Sequence, residues 1–204
     1  LGLQTLQLTP PAEIAAAKTD STYAWFPAPL KPTLRLPARL TPSRQSQLPG
    51  SRIGKIIDVG QRLPFSGALD EADLGDALHA IFAAEFVNPG HARRLETIQR
   101  ILLGYKLSDH LKGEDVLQMV DRFRASLEQQ LQPKQVLVEI PITTKNESGQ
   151  RIEGFIDMLV ETSNGWILID HKSFPGKRSE WPAEAVSYSG QLALYREALK
   201  KLKL

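Results

Sequence analysis

A predicted strand late in the sequence carries an acid and a base at its tip. Residues 166–172 read Trp-Ile-Leu-Ile-Asp-His-Lys and are apolar until the last three positions. Because side chains two positions apart in a strand point to the same face, Asp170 and Lys172 are expected side by side. Placing such a pair on a buried strand is costly unless the charges are paired, solvated at an edge or bound to an ion. The pair is therefore either a structural ion pair or part of a site.

A second carboxylate is expected close to this pair. Asp157 interrupts the predicted strand 151–161, which is apolar on both sides of it. A hairpin turn at Asn164-Gly165 predicts that Asp170 pairs near Leu159, one diagonal step from Asp157. Two neighbouring carboxylates favour a hard cation, Mg²⁺ or Mn²⁺. A nearby lysine can position or activate a water, or stabilise negative charge on a phosphate.

The periodicity of apolar residues predicts the elements that position these side chains. Helical spacing predicts four helices, over residues 70–86, 92–103, 113–131 and 183–202. Alternation predicts three strands, over residues 135–142, 151–161 and 166–172. Helices, then an antiparallel three-strand meander, then a helix indicate an α/β fold with helices packed on a sheet.

Composition divides the chain and excludes several classes of site. Prolines cluster before residue 50, so residues 1–50 are predicted to be an extended lead-in or linker and 51–204 the folded domain. The sequence has no cysteine, which excludes disulfides, iron–sulfur clusters and a cysteine nucleophile. It has no apolar run of about 18 residues and no secretion signal, so we expect a cytoplasmic protein without a membrane span. The first residue is Leu, so we expect a piece of a longer protein.

Five short motifs follow one another in the sequence: Gly75-Asp-Ala-Leu-His79, Glu139-Ile-Pro141, Gly154-Phe-Ile-Asp157, Asp170-His-Lys172 and Gln191-Leu-Ala-Leu-Tyr195, with Pro42-Ser43 ahead of them. In this order they resemble the PD-(D/E)XK nuclease superfamily, in its RecB/AddA-type branch, the C-terminal domain of UvrD/Rep-like helicase–nucleases. The resemblance covers about residues 40–200. It implies a restriction-endonuclease-like core with a central mixed sheet flanked by helices.

The resemblance also implies a role for each matching residue. The divalent metal would be bound by His79, Asp157, Asp170 and the backbone carbonyl of His171. Lys172 would be the catalytic lysine beside the attacking water, and Glu139 an accessory acid. Gln191 and Tyr195 would support the site and contact the DNA strand. The sequence departs from the family pattern at two positions. Ile156 stands before Asp157, where the superfamily takes its name from a proline, and His171 stands where tyrosine is more usual.

The function expected from this resemblance is Mg²⁺- or Mn²⁺-dependent hydrolysis of DNA by an exonuclease V-like domain. Its partners would be DNA, as a single strand or a double-strand end, and a helicase domain of the same polypeptide or a partner subunit. Double-strand break repair and recombination would be its setting. Two alternatives stay open: an inactive DNA-binding or scaffold domain of the same fold, and an unrelated α/β interaction module with a structural ion pair.

Overall fold

A computed structural model describes residues 36–68, 70–174 and 176–202 of the chain. In these ranges the strands are β1 (Arg39–Leu40), β2 (Gln135–Lys145), β3 (Arg151–Thr162) and β4 (Gly165–Ile169). The helices are α1 (Glu71–Val87), α2 (Arg94–Gly104), α3 (Gly113–Leu131), α4 (Trp181–Ser187) and α5 (Ser189–Lys201). The predicted lead-in lies outside the described residues up to residue 35, and the domain boundary at residue 50 stays a prediction. None of the described helices is long and apolar enough to cross a membrane.

The sheet is organised around β3. β2 pairs antiparallel with β3 along most of its length, β4 pairs antiparallel with its last residues, and β1 pairs parallel with its first two. The sheet is therefore mixed and contains the antiparallel meander β2–β3–β4. This confirms the predicted α/β fold with a mixed sheet and a three-strand meander flanked by helices.

The first three helices form a core of their own and fix the orientation of α1. Asp70 caps α1, since its Oδ1 accepts hydrogen bonds from the N–H groups of Ala72 and Asp73 at 2.8 and 3.2 Å. Ala77 and Ile81 are fully buried against the core formed by α2 and α3. Full burial of an Ile side chain stabilises the folded state by about 1.5–3 kcal/mol. The buried face of α1 thus sets the direction in which His79 projects.

The predicted last strand is three residues too long, because β4 ends at Ile169. Beyond the pair of Met158 with Ile169, the N–H of His171 binds the carboxylate of Asp157 at 2.7 Å. A side chain thus takes the place of the next backbone acceptor, and the ladder stops. Asp170 and Lys172 consequently follow the strand instead of belonging to it.

The predicted register of the second hairpin is also wrong, by two residues. Thr162 pairs with Gly165 and Leu159 pairs with Leu168, so the turn residues are Ser163 and Asn164. The Thr162 hydroxyl closes this turn, accepting from the N–H of Asn164 at 3.1 Å and donating to the Gly165 carbonyl at 2.9 Å. Gly165, with φ of 115°, is the first residue of β4 and not the centre of the turn.

The predicted final helix is divided in two at Tyr188, where α4 ends and α5 begins. Leu194, Ala198 and Leu199 of α5 are buried against Ile152 and Ile156 of β3. α5 therefore packs on the sheet over the buried cluster that contains Ile152 and Ile156.

Candidate active site

Three carboxylates form a row: Glu139 on β2, Asp157 on β3, and Asp170 in the segment that follows β4. The β2–β3 register, which pairs Val138 with Met158 and Ile140 with Ile156, sets Glu139 opposite Asp157. Extending the β3–β4 register one step past its last pair sets Asp170 on the other side of Asp157. The two-residue correction of the hairpin therefore moves Asp170 from a position level with Leu159 to one level with Asp157.

His79 reaches this row from α1. Its Nδ1 lies 3.6 Å from Oδ1 of Asp157 and 4.0 Å from Oε1 of Glu139, and the three ligand atoms lie within 4.8 Å of one another. On its other side, Nε2 lies 3.1 Å from the carbonyl oxygen of His171. A carbonyl only accepts hydrogen bonds, so this contact requires a proton on Nε2; in the neutral ring the lone pair of Nδ1 then faces two carboxylate oxygens.

Three lone-pair donors converging in this way repel one another unless a cation or an additional proton lies between them. A nitrogen and two carboxylate oxygens are a donor set that suits a divalent first-row ion or Mg²⁺. The Asp157 carboxylate is oriented for this task by the His171 N–H, which holds Oδ2 and leaves Oδ1 toward His79. The residues present therefore fit a divalent cation.

Asp170 is engaged differently, and it is not one of the three residues in the His79 group. Its side chain is only 6 % exposed; Oδ1 accepts from Nε2 of Gln191 at 2.6 Å and Oδ2 pairs with Nζ of Lys172 at 2.5 Å. Burial raises the pKa of Asp170, and the neighbouring Lys172 ammonium partly opposes this. Nζ of Lys172 also lies 3.2 Å from the His171 carbonyl oxygen. The role of Asp170 as a metal ligand, and that of the His171 carbonyl, stay predictions.

Glu139 lies in the same group as His79 and Asp157, and the accessory role expected for it stays a prediction. It has φ of 50°, a conformation that few residues other than glycine adopt, and that often marks functional sites. Two effects raise the pKa of Glu139: its desolvation, which is the larger, and repulsion from the Asp157 carboxylate. The nearby His79 acts in the opposite direction and lowers it. In the sequence, Glu139 is visible only as a single acid within an otherwise apolar predicted strand. The register of β2 with β3 is needed to show that it faces Asp157.

Gln191 and Tyr195 support the site from α5. Gln191 is buried and holds Asp170, while the hydroxyl of buried Tyr195 donates to the backbone carbonyl of Phe155 in β3. Burial, with repulsion from nearby carboxylates, raises the pKa of Tyr195 to about 12. A Cβ on Gly154 would lie 3.0 Å from that hydroxyl, which explains the absence of a side chain there. DNA contact by either residue stays a prediction.

The ring of His171 faces away from the carboxylates and toward the helical core. It stacks on Phe82 with centroids 4.4 Å apart and meets Phe123 edge-on at 5.3 Å. Its Nε2 is buried without a hydrogen-bond partner. Burial in this aromatic environment lowers the pKa of His171 to about 4 from an ordinary 6.5.

Replacing His171 by phenylalanine is therefore expected to reduce the sensitivity of the fold to acid. The unfolded chain takes up the His171 proton as pH falls through 6.5, whereas the folded protein takes it up only near 4, so stability is lost across this window. Between pH 7 and 4.5 the loss in unfolding free energy should be smaller by about 2 kcal/mol in His171→Phe. Urea unfolding of both proteins at the two pH values measures this difference. An equal loss in both would show that His171 does not carry this share of the acid sensitivity.

The family comparison agrees with the geometry. No curated protein matches the chain. A family model, described as the PD-(D/E)XK nuclease superfamily, matches residues 56–204, which include the carboxylate row, His79, Lys172 and α5. The mixed sheet with its flanking helices is consistent with the restriction-endonuclease-like fold of that superfamily. Because the match covers well over half of the sequence, the chain belongs to the PD-(D/E)XK nuclease superfamily.

Proposed function

We propose that this chain is a divalent-metal-dependent nuclease that hydrolyses phosphodiester bonds in DNA. The observation that carries the proposal is the convergence of His79 Nδ1 with carboxylate oxygens of Glu139 and Asp157, within 4.8 Å of one another. Phosphodiester hydrolysis needs an attacking water, neutralised phosphate oxygens and a stabilised leaving oxygen. The residues around this group can meet these needs.

Each side chain has a distinct task in this proposal. His79, Glu139 and Asp157 would hold Mg²⁺ or Mn²⁺, which when bound lowers the pKa of a water and offsets phosphate charge. Lys172, fixed by Asp170 and the His171 carbonyl, provides a positive charge for the phosphate oxygens. Gln191 keeps Asp170 aligned with this lysine, at 2.6 Å. Positioning of this kind lowers the barrier because little reorganisation is left for the reaction.

We also propose the finer assignment, an exonuclease V-like domain of the RecB/AddA type that acts with a helicase domain or subunit on DNA ends in the cytoplasm. Its support is the helix motif that begins at Gly75 and ends at His79, with His79 beside Asp157. Co-purification of the full-length protein with a helicase activity on double-strand ends tests this assignment. A nuclease without such activity would remove the helicase association and leave the nuclease proposal standing.

Metal binding tests the proposal directly, and Glu139→Gln is the informative variant. Removing this charge is expected to weaken Mn²⁺ binding by about 10-fold or more, because one of three converging donors loses its charge. Titration calorimetry with Mn²⁺ alone measures the effect. Glu147→Gln, at an exposed residue of the β2–β3 turn, is the matched control and should bind as the wild type does.

Cleavage of labelled single-stranded and duplex oligonucleotides in Mg²⁺, Mn²⁺ and EDTA completes the test. A nuclease cleaves in a divalent ion and stops in EDTA. An inactive DNA-binding domain would bind the oligonucleotides and cleave them under none of these conditions. Wild-type protein that neither binds Mn²⁺ nor cleaves would overturn the proposal.

A further inference from the structure

A large cavity opens beside the pair of Asp170 and Lys172. Its volume is about 880 Å³, and Asp170 and Lys172 form part of its wall. Leu74 and Leu78 of α1 line one side, and Leu168 of β4 lines another. A cavity of this size and apolar character is typical of a ligand site, and this one shares a wall with the proposed catalytic lysine.

Residues of the segment 61–68 form one wall of the cavity, and hydrogen bonds hold this segment to two other parts of the chain. The Arg62 guanidinium donates to the carbonyl oxygen of Phe174 at 2.7 Å and to that of Gly176 at 3.4 Å. The N–H of Ser66 donates to the carbonyl oxygen of His110 at 3.1 Å. These hydrogen bonds join the wall to the residues that follow Lys172 and to the loop before α3. The shape of the cavity is therefore fixed by contacts within the fold.

Aromatic rings surround this space. The rings of Phe65, Phe174, Trp181 and Tyr188 line it, and those of Phe65 and Trp181 are 47 % and 39 % exposed. The Tyr188 ring centroid lies 5.2 Å from Nζ of Lys172, a cation–π contact that joins the aromatic wall to the catalytic lysine. The Tyr188 hydroxyl donates to Glu184 Oε1 at 2.6 Å, which fixes the orientation of the ring.

We propose that this cavity receives an unpaired base of the DNA strand whose phosphate lies at Lys172; the inference rests on the proposed function and deepens it. Lys172 lines the cavity, so a strand whose phosphate lies at this lysine would place its neighbouring group, a base, at the cavity. Apolar and aromatic walls suit the flat face of a base without selecting its sequence. A base paired in a duplex cannot enter, so the substrate is single-stranded or locally unpaired at this position.

The test follows a fluorescent base along the bound strand. Single-stranded oligonucleotides with one 2-aminopurine at successive positions are mixed with the protein in Ca²⁺, and gels confirm that they stay uncleaved. One position is expected to change its fluorescence at least about 2-fold more than its neighbours, because a base among aromatic rings is stacked differently from one in solvent. A change of equal size at every position would overturn the inference.

A cavity-filling variant and its matched control show whether the cavity causes the signal. Ala185 of α4 lines the cavity, while Ala183 of the same helix does not, and both are exposed. Ala185→Trp should abolish the position-specific signal, and Ala183→Trp should retain it. Ala185→Trp should also weaken oligonucleotide binding, because the tryptophan fills the space of the base. An abasic nucleotide at the identified position should restore binding, because it has no base to place there. A signal that survives in Ala185→Trp would overturn the inference.

The two proposals fail separately. If the wild type cleaves DNA but no position responds to Ala185→Trp, the base site is wrong and the nuclease stands. If a position responds to Ala185→Trp but the protein neither cleaves nor binds Mn²⁺, the nuclease is wrong and the cavity still binds a base.

Discussion

Asp170→Asn is expected to slow DNA cleavage by about 10²–10³-fold while the protein stays folded. The substitution removes the charge that pairs with Lys172 at 2.5 Å, but the asparagine oxygen can still accept from Gln191. The lysine then loses the partner that fixes its position, and the site loses one of its three carboxylates. We therefore expect the substitution to affect the reaction more than the fold.

Stability in metal-free buffer should hold or rise in this variant. Burial raises the pKa of Asp170, so its stabilising contribution is present below the ordinary value of 3.8 and is lost as pH rises through the folded value. At neutral pH the charged form is thus disfavoured by the fold, and the neutral amide relieves that cost, which offsets the lost ion pair. Thermal melts in EDTA at pH 7 measure the balance.

Single-turnover cleavage of a labelled oligonucleotide in Mg²⁺ measures the kinetic effect. Asp109→Asn, at an exposed residue between α2 and α3, is the matched control and should cleave at the wild-type rate. A folded Asp170→Asn protein that cleaves as fast as the wild type would remove Asp170 from the site.

Local periodicity was sufficient to predict most of the elements. Apolar residues at helical spacing predicted α1, α2 and α3 within one or two residues, because each helix buries one continuous face. Apolar residues at every second position predicted the three strands of the meander, because successive side chains of a strand point to opposite faces of the sheet. Where a single local contact decides the outcome, the pattern failed: Asp157 ends β4 through the His171 N–H, and Thr162 fixes the hairpin turn.

Contacts between distant segments could not be derived from spacing. The proximity of His79 to Asp157 follows from the packing of α1 against the sheet, and only the resemblance to a family suggested it. The same holds for Gly75, where a Cβ would lie 3.3 Å from the Ser173 hydroxyl, so the glycine lets α1 approach the segment after β4. The residue types at His79 and Gly75 are thus explained by contacts with segments that are distant in the sequence.

The site as a whole combines both kinds of information. Asp157 and Asp170 could be singled out from the sequence because each interrupts a predicted apolar strand. A charge in such a place is costly unless it is paired or bound to an ion. The place of Glu139 depends on the β2–β3 register and on a left-handed backbone conformation, neither of which a pattern of residue types encodes. The candidate metal-binding group of His79, Glu139 and Asp157 can therefore be identified only when the register and the packing of α1 are both known.

Lys172→Met is expected to lower the single-turnover cleavage rate by about 10²-fold or more, the scale of one positioned electrostatic or proton-transferring group. Methionine keeps much of the apolar stem beside Tyr188 and removes only the ammonium. Mn²⁺ affinity should not fall, because removing a positive charge near the carboxylates favours a cation. DNA binding should weaken only modestly, since one phosphate contact accounts for about one unit of the salt slope.

The combination of these results separates a catalytic lysine from a structural one. If the pair of Lys172 with Asp170 were only structural, its loss would lower the melting temperature and leave the cleavage rate below that temperature unchanged. A catalytic lysine predicts the reverse: a folded protein that binds Mn²⁺ and DNA and cleaves slowly. Lys177→Met, at an exposed lysine of the same loop, is the matched control and should cleave as the wild type does. A Lys172→Met protein that melts much earlier yet cleaves at the wild-type rate would assign the lysine to the fold alone, since the ion pair would then act only on stability.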